Sequence, residues 1–280
     1  MAARFWVGGT GTWDASDTTH WAQTTGGAGG FSVPASGDTV TFDANSGGGT
    51  VTVNTTVNVT TLTAGAFTGT LDFATNNNNV TTSGAISFSG TGTRTINMGS
   101  GTWTINATSV SPLCFDITTS TNLTFSSSSA NLVFNANSVA RVAHFGTSTT
   151  YASLTLGANS TKGIFNYNAT TAITFGSVTI GSGNTLGASQ GITTTITGAL
   201  TMTGTSSAPV GLMSNATGTN AATISVGSAS TIDWGGILRI IKAGAGSITA
   251  TNSLDMGGNT GVTITVPSGG GGGTVPYVIG

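Results

Sequence analysis

Short runs of alternating apolar and polar residues recur along most of the chain. Ser153-Leu154-Thr155-Leu156-Gly157, Ser177-Val178-Thr179-Ile180-Gly181, Ala199-Leu200-Thr201-Met202-Thr203-Gly204 and Thr223-Ile224-Ser225-Val226-Gly227 each put an apolar side chain at every second position and end in glycine. A period of two marks a strand with one buried face. The first apolar residues of these runs are Leu154, Val178, Leu200 and Ile224, so the strand returns at steps of 24, 22 and 24 along the chain. Leu62 and Ile86 form an earlier pair with the same separation as Leu154 and Val178. Further strands fall between them, at 70–73, 102–105, 132–134, 173–175 and 193–196. A strand that returns at this spacing, with others between, predicts an all-β chain folded as a parallel β-solenoid (β-helix), each coil setting its Leu, Ile, Val and Phe on those of the coil below. At a rise of ~4.8 Å, about nine or ten coils would make a rod roughly 45 Å long. An antiparallel sandwich also uses short, regularly spaced strands. The chain has no Asn-Gly or Asp-Gly pair to tighten a hairpin, which favours the solenoid.

The two ends break the pattern and divide the chain into three segments. Residues 1–49 carry three of the five tryptophans and read as a capping segment, because an open solenoid end exposes unpaired backbone and apolar side chains. Phe5, Trp6, Trp13 and Trp21 are the expected cap residues. Residues 50–267 hold the repeats. Residues 268–280 read as a flexible tail, in which Ser268 and five glycines tether an apolar arm. Val275, Pro276, Tyr277, Val278 and Ile279 are the expected partner contacts.

Composition sharpens this picture. Only 14 of 280 residues are charged, and all eight acids are aspartate. Without glutamate, and with little lysine or arginine, the chain lacks the residues that build exposed helix faces. The 44 glycines supply turn positions with positive φ. A hydrophobic content of 37% and a net charge of −2 separate the chain from disordered sequences. Arg4, Arg94, Arg141, Lys162, Arg239 and Lys242 form no basic stripe, so a nucleic-acid partner is not expected. No stretch is long and apolar enough to predict a membrane span, and the N-terminal residues lack the apolar core of a signal peptide, which points to folding in a cytoplasm. Cys114 lies in the apolar run Leu113-Cys114-Phe115 and reads as a buried thiol.

Candidate chemistry is sparse. Asp14 with Asp17, and Asp38 with Asp43, are the carboxylate pairs available for glycan hydrolysis, which needs two carboxyls ~5–10 Å apart. Each also sits where a short acid side chain binds turn backbone, and that reading is preferred. Neither a calcium loop nor a phosphate-cradling motif is present, and neither His20 nor His144 has a Cys or a second His near it in sequence. Trp103, Trp234, Tyr151 and Tyr167 are the aromatic pool for sugar stacking. No catalytic, metal or cofactor site is expected.

The most specific pattern is N-terminal: Arg4-Phe5-Trp6-Val7-Gly8-Gly9-Thr10-Gly11-Thr12-Trp13-Asp14, then Thr19-His20-Trp21-Ala22, Ser32-Val33-Pro34 and Asp38-Thr39-Val40-Thr41-Phe42-Asp43. It resembles the start of a family of repetitive β-rich structural proteins of tailed bacteriophages and prophages. A related opening heads some bacterial surface adhesins. Gly257-Gly258-Asn259-Thr260-Gly261-Val262 is similar to that family's closing motif, with Val262 where an aromatic is the rule. The resemblance covers the two ends and implies a non-enzymatic virion protein assembled in the host cytoplasm. Its expected role is capsid decoration or cementing, as a homo-oligomer (a trimer) on other virion proteins, the major capsid protein foremost. The alternative is a tail fibre, spike or adhesin that binds host-surface glycans.

Overall fold

The computed structural model describes residues 1–107, 113–138, 140–146, 149–215 and 219–267. Among these the chain is all-β, with a single 3-10 turn at Ala44–Ser46. Three long sheets account for the strands: one of twelve, one of five and one of thirteen. Consecutive strands visit the sheets in rotation. Thr39–Thr41 joins the first, Thr50–Val53 the second, Val57–Val59 the third, and Thr61–Thr63 returns to the first beside Thr39–Thr41. Among the described residues all pairings are parallel except one, between Ala3–Trp6 and Trp21–Ala22. Parallel pairing on this scale excludes two opposed antiparallel sheets and is compatible with a β-solenoid. Strands of residues 1–49 continue into these sheets, Trp13 pairing with Val53 and Val40 with Leu62.

The alternation read from sequence is the alternation of burial. Thr102–Ile105, Asn131–Phe134 and Ala222–Val226 each bury every second side chain, and the buried residues form one continuous cluster from Trp6 to Ala250. Parallel register puts like on like. Leu62 stacks on Ile86, Leu154 on Val178 and Val178 on Leu200, as the spacing of the runs predicts. The next step differs from expectation. Ile224 lies beside Thr194 on an adjoining stretch, and the neighbour of Thr201 is Thr231, well beyond the expected partner. Longer connections on either side of Val210–Ser214 stretch this turn, and a fixed spacing cannot register them. Turns then shorten, first where Ile232 pairs with Ala250 and again where Ala250 pairs with Ile264. The first sheet therefore holds eleven parallel strands, more than the nine or ten coils of a uniform period.

The corners explain much of the glycine and asparagine. A Cβ on Gly65 would lie 2.0 Å from the Ser89 carbonyl oxygen, and one on Gly90 would lie 2.2 Å from that of Gly65. Successive corners thus stack closer than any side chain permits, whatever their φ. The run Asn76–Asn79 clamps three turns together. Asn76 and Asn78 donate from Nδ2 to the Val53 carbonyl below, while Asn77 and Asn79 accept on Oδ1 from the Ser100 and Thr102 amides above. These are neutral hydrogen bonds, and among the described residues one ion pair joins an arginine to an acid, Arg4–Asp38 at 3.6 Å, while the His20 ring lies 3.9 Å from the Asp17 carboxylate.

Candidate functional site

The N-terminal aromatics converge. Trp6 and Trp13 each meet Trp21 at 5.1 Å between ring centroids, with the planes steeply inclined, and Phe42 links this group to Phe67 at 5.4 Å. Such edge-on pairs add about 1 kcal/mol each beyond the area they bury. Strand alternation sends Arg4 and Trp6 inward, so Phe5 sits half-buried on the opposite face, apart from the other three. His20 stacks on Trp6 at 4.6 Å and 8° and holds the Val7 carbonyl through Nδ1 at 2.8 Å, which fixes the proton on that nitrogen. Trp6 donates from Nε1 to the Gly9 carbonyl. The Trp-Val-Gly-Gly stretch is thus folded around its own rings.

The carboxylates are used by the turns beside them. Asp14 accepts the Ser16 and Asp17 amides at 2.7 Å, and Asp17 accepts the Thr19 amide and hydroxyl. Asp43, Asp72, Asp116 and Asp255 each accept the amide two residues on. Asp38 accepts the amides of Ala2 and Ala35. The Ser16 amide on Asp14, and the Thr19 hydroxyl on Asp17, hold both pKa values below the ordinary carboxylate range. A general acid in glycan hydrolysis needs the opposite shift. These side chains are arranged to lock turns.

Two arginines lie wholly inside, which reading the sequence missed. Arg94 reaches the carbonyls of Phe88, Gly92, Thr119 and Thr121, so its guanidinium ties two successive corners, with no acid partner among the described residues. Arg141 donates to Asn184 Oδ1, lies over the Phe165 ring at 5.6 Å and approaches Cys114, whose thiol burial pushes up to about 12. At that value Cys114 is an inert core side chain. Parity was the available signal: Arg94 stands two residues before inward Ile96, and Arg141 two before inward Ala143.

Of the sugar-stacking pool, Trp103, Tyr151 and Tyr167 are fully buried, Tyr167 hydrogen-bonded to Thr194, and Trp234 is half-buried. An open concavity lies elsewhere. Leu123–Ser126 is the last strand of the second sheet, and beyond it opens a cleft of about 350 Å³ lined by Leu123, Phe125, Ser126, Ser127, Ser128 and Thr150, among others. Gly257 and Gly261, at φ 100° and 77°, frame the closing motif. Between them Asn259 accepts the Ile240 amide and donates to the Ile237 carbonyl, so the motif pins the last turns together.

Among the described residues no group of three His, Cys or Asp gathers as a metal would require, and no helix is long and apolar enough to cross a membrane. Val275, Pro276, Tyr277, Val278 and Ile279 lie outside the described residues. Comparison with protein-family models, curated proteins and solved structures finds no match.

Proposed function

We propose that this chain is a β-solenoid that serves as a bacteriophage virion structural protein, decorating or cementing the capsid through rigid surface contacts. In this reading Trp6, Trp13 and Trp21 close the N-terminal end, and the protein assembles in the host cytoplasm as a homo-oligomer on other virion proteins, the major capsid protein foremost. The observation that carries it is the way successive turns are clamped: one uninterrupted core, corners stacked backbone on backbone, and neutral asparagine bridges between turns. Surfaces of this kind form contacts that salt screens weakly, because few of them are ionic. Every acid with a turn amide beside it is committed to that turn, which suits a scaffold. The phage assignment itself rests on the Trp-Gly-Asp pattern of residues 4–43.

The test is imaging of particles carrying the tagged protein. Thousands of ordered copies over the shell are expected; a few copies at one vertex would replace decoration with a tail role.

One feature favours the second reading, a tail fibre or spike that binds host glycans. The cleft beyond Leu123–Ser126 sets serine and threonine hydroxyls beside the half-buried ring of Phe125, a pairing suited to a sugar's polar edge and apolar face. Glycan-array binding lost in Phe125→Ala, with no release of reducing sugar, would establish it over decoration.

A further inference from the structure

The cleft beyond Leu123–Ser126 does not stand alone. In three successive turns the second and third sheets are joined by corners, at 73–79, 98–101 and 127–130. In the turn that follows, Ser153 pairs with Asn131, which sets the start of the strand Thr150–Leu156 over the last of these corners. A second concavity of about 220 Å³ is lined by Ala74, Asn77, Gly99 and Ser100, and adjoins the first across Ser126, Ser127 and Ser128. Together the two follow the corner from turn to turn. Asn77, Ser100, Ser128 and Thr150 belong to four consecutive turns, so at ~4.8 Å per turn the groove spans about 14 Å along the stack.

Its chemistry is uniform along that length. None of the described lining residues is charged. The hydroxyls of Ser100, Ser126 and Ser128 hydrogen-bond to no described residue and are free to donate and accept. Ser127 and Thr149 each give their proton to a carbonyl, of Thr150 and of Phe145, and so keep lone pairs for a donor. The Tyr151 hydroxyl is fully buried beside these two side chains and has no hydrogen-bond partner of regular geometry. An orphan group of this kind marks a place that water or a ligand completes. Phe125 supplies the apolar surface. Its half-buried ring is held at 6.1 Å from Phe88 and 6.4 Å from Tyr151, so it is set before anything binds.

We propose that this groove binds a linear, uncharged oligosaccharide, gripping about three successive rings of the chain along the stack rather than a single terminal sugar. One ring lies against Phe125, and its neighbours reach the hydroxyls of Ser126, Ser128 and Ser100. An acidic sugar would bring a charge that no side chain of the groove can pair. The inference rests on the glycan-binding reading of the cleft and is indifferent to where on a particle the protein sits.

Calorimetric titration of the full chain tests it, with malto-, cello- and chito-oligosaccharides from monosaccharide to hexasaccharide, oligogalacturonates as the acidic counterpart, and a glycan array alongside. Affinity for a neutral series should rise at least about tenfold from one ring to three and then level off, with no binding of the acidic series. Ser100→Arg, at an exposed corner, should flatten that rise while leaving the affinity for a single ring within about twofold. Phe125→Ala should abolish binding to all lengths, and Ser128→Arg gives the same readout if that variant does not fold. Affinity independent of length, a rise untouched by Ser100→Arg, or array binding confined to acidic glycans overturns the groove and leaves the glycan reading standing. Binding to nothing in the titrations or on the array overturns both.

Discussion

Buried aromatic rings recur from Trp6 to Phe175, whereas from Val178 to Ala250 the core contains none. Spacing also varies along the stack. In the first region the stacked series Ile86, Phe115, Ala143 advances by 29 and then 28, and rings fill these wide turns. In the last turns Ile224 and Lys242, like Ile232 and Ala250, stand 18 apart, and this narrow region is filled by Ile, Val and Ala, with strands such as Gly235–Leu238 in which glycine itself is buried. The step of 30 from Met202 to Ile232 exceeds both ring-filled steps yet holds no buried ring, so turn length alone does not set the core, and a wide turn can also close on aliphatic side chains.

The sharpest way to break this comparison is to empty the wide region. Trp103 is fully buried between Phe73 at 4.7 Å and Phe88 at 6.2 Å and donates to the Met98 carbonyl. Trp103→Ala should cost about 3–5 kcal/mol, against about 1 kcal/mol for Ile232→Val in the narrow region. Region-resolved hydrogen exchange should show protection lost around residues 86–134 and kept around 222–250. Uniform loss would mean that both regions unfold as one unit, and the distinction would dissolve.

A smaller effect is expected from Arg94→Met, which fills much of the same volume but abandons the carbonyls of Phe88, Gly92, Thr119 and Thr121. Orphaned buried acceptors should lower stability by about 3 kcal/mol, read from the denaturant midpoint, with Arg94→Lys recovering less than half because an ammonium lacks the planar fork. An unchanged midpoint would show that the wide corners hold without their central cation.

The smallest effect is a pH dependence confined to the wide region. Burial pushes the His144 pKa below its ordinary value, with Asp116 opposing in part, and Nδ1 accepts the Gly146 amide. A histidine with a depressed folded pKa takes up its proton more readily when unfolded, so its contribution is complete above about pH 6.5 and is lost as pH falls toward the folded value. The unfolding midpoint should therefore decline as pH falls below about 6.5 in the native chain and flatten in His144→Gln. A slope that survives the substitution assigns the effect to another group.

Much of this architecture was legible in the sequence, for a reason that also sets its limits. Period-two alternation reports the face a side chain takes, so buried rows such as Leu154, Val178 and Leu200 follow directly from counting. Ile224 was misplaced because alternation says nothing about loop length, and the longer connections around Val210–Ser214 moved it to another stretch. Arg94 and Arg141 were overlooked because charge was weighed ahead of parity. Phe5 was grouped with the tryptophans by proximity, though its odd position turns it the other way. The run Asn76–Asn79 gave no sign of its clamping role, since its partners Val53, Ser100 and Thr102 lie a full turn away.

Because each turn pairs its strands with those of the turn before it, the order of synthesis can also serve as the order of folding. The rings of Trp6, Trp13, Trp21 and Phe42 leave the ribosome ahead of the turns that stack on them and can collapse together before those later strands exist. Each newly emerged turn then finds a finished template and closes a loop of a few tens of residues, which keeps the entropic barrier of each addition low. Growth by accretion on an aromatic seed would let a protein dominated by parallel pairing escape the slow search that long-range strands usually impose.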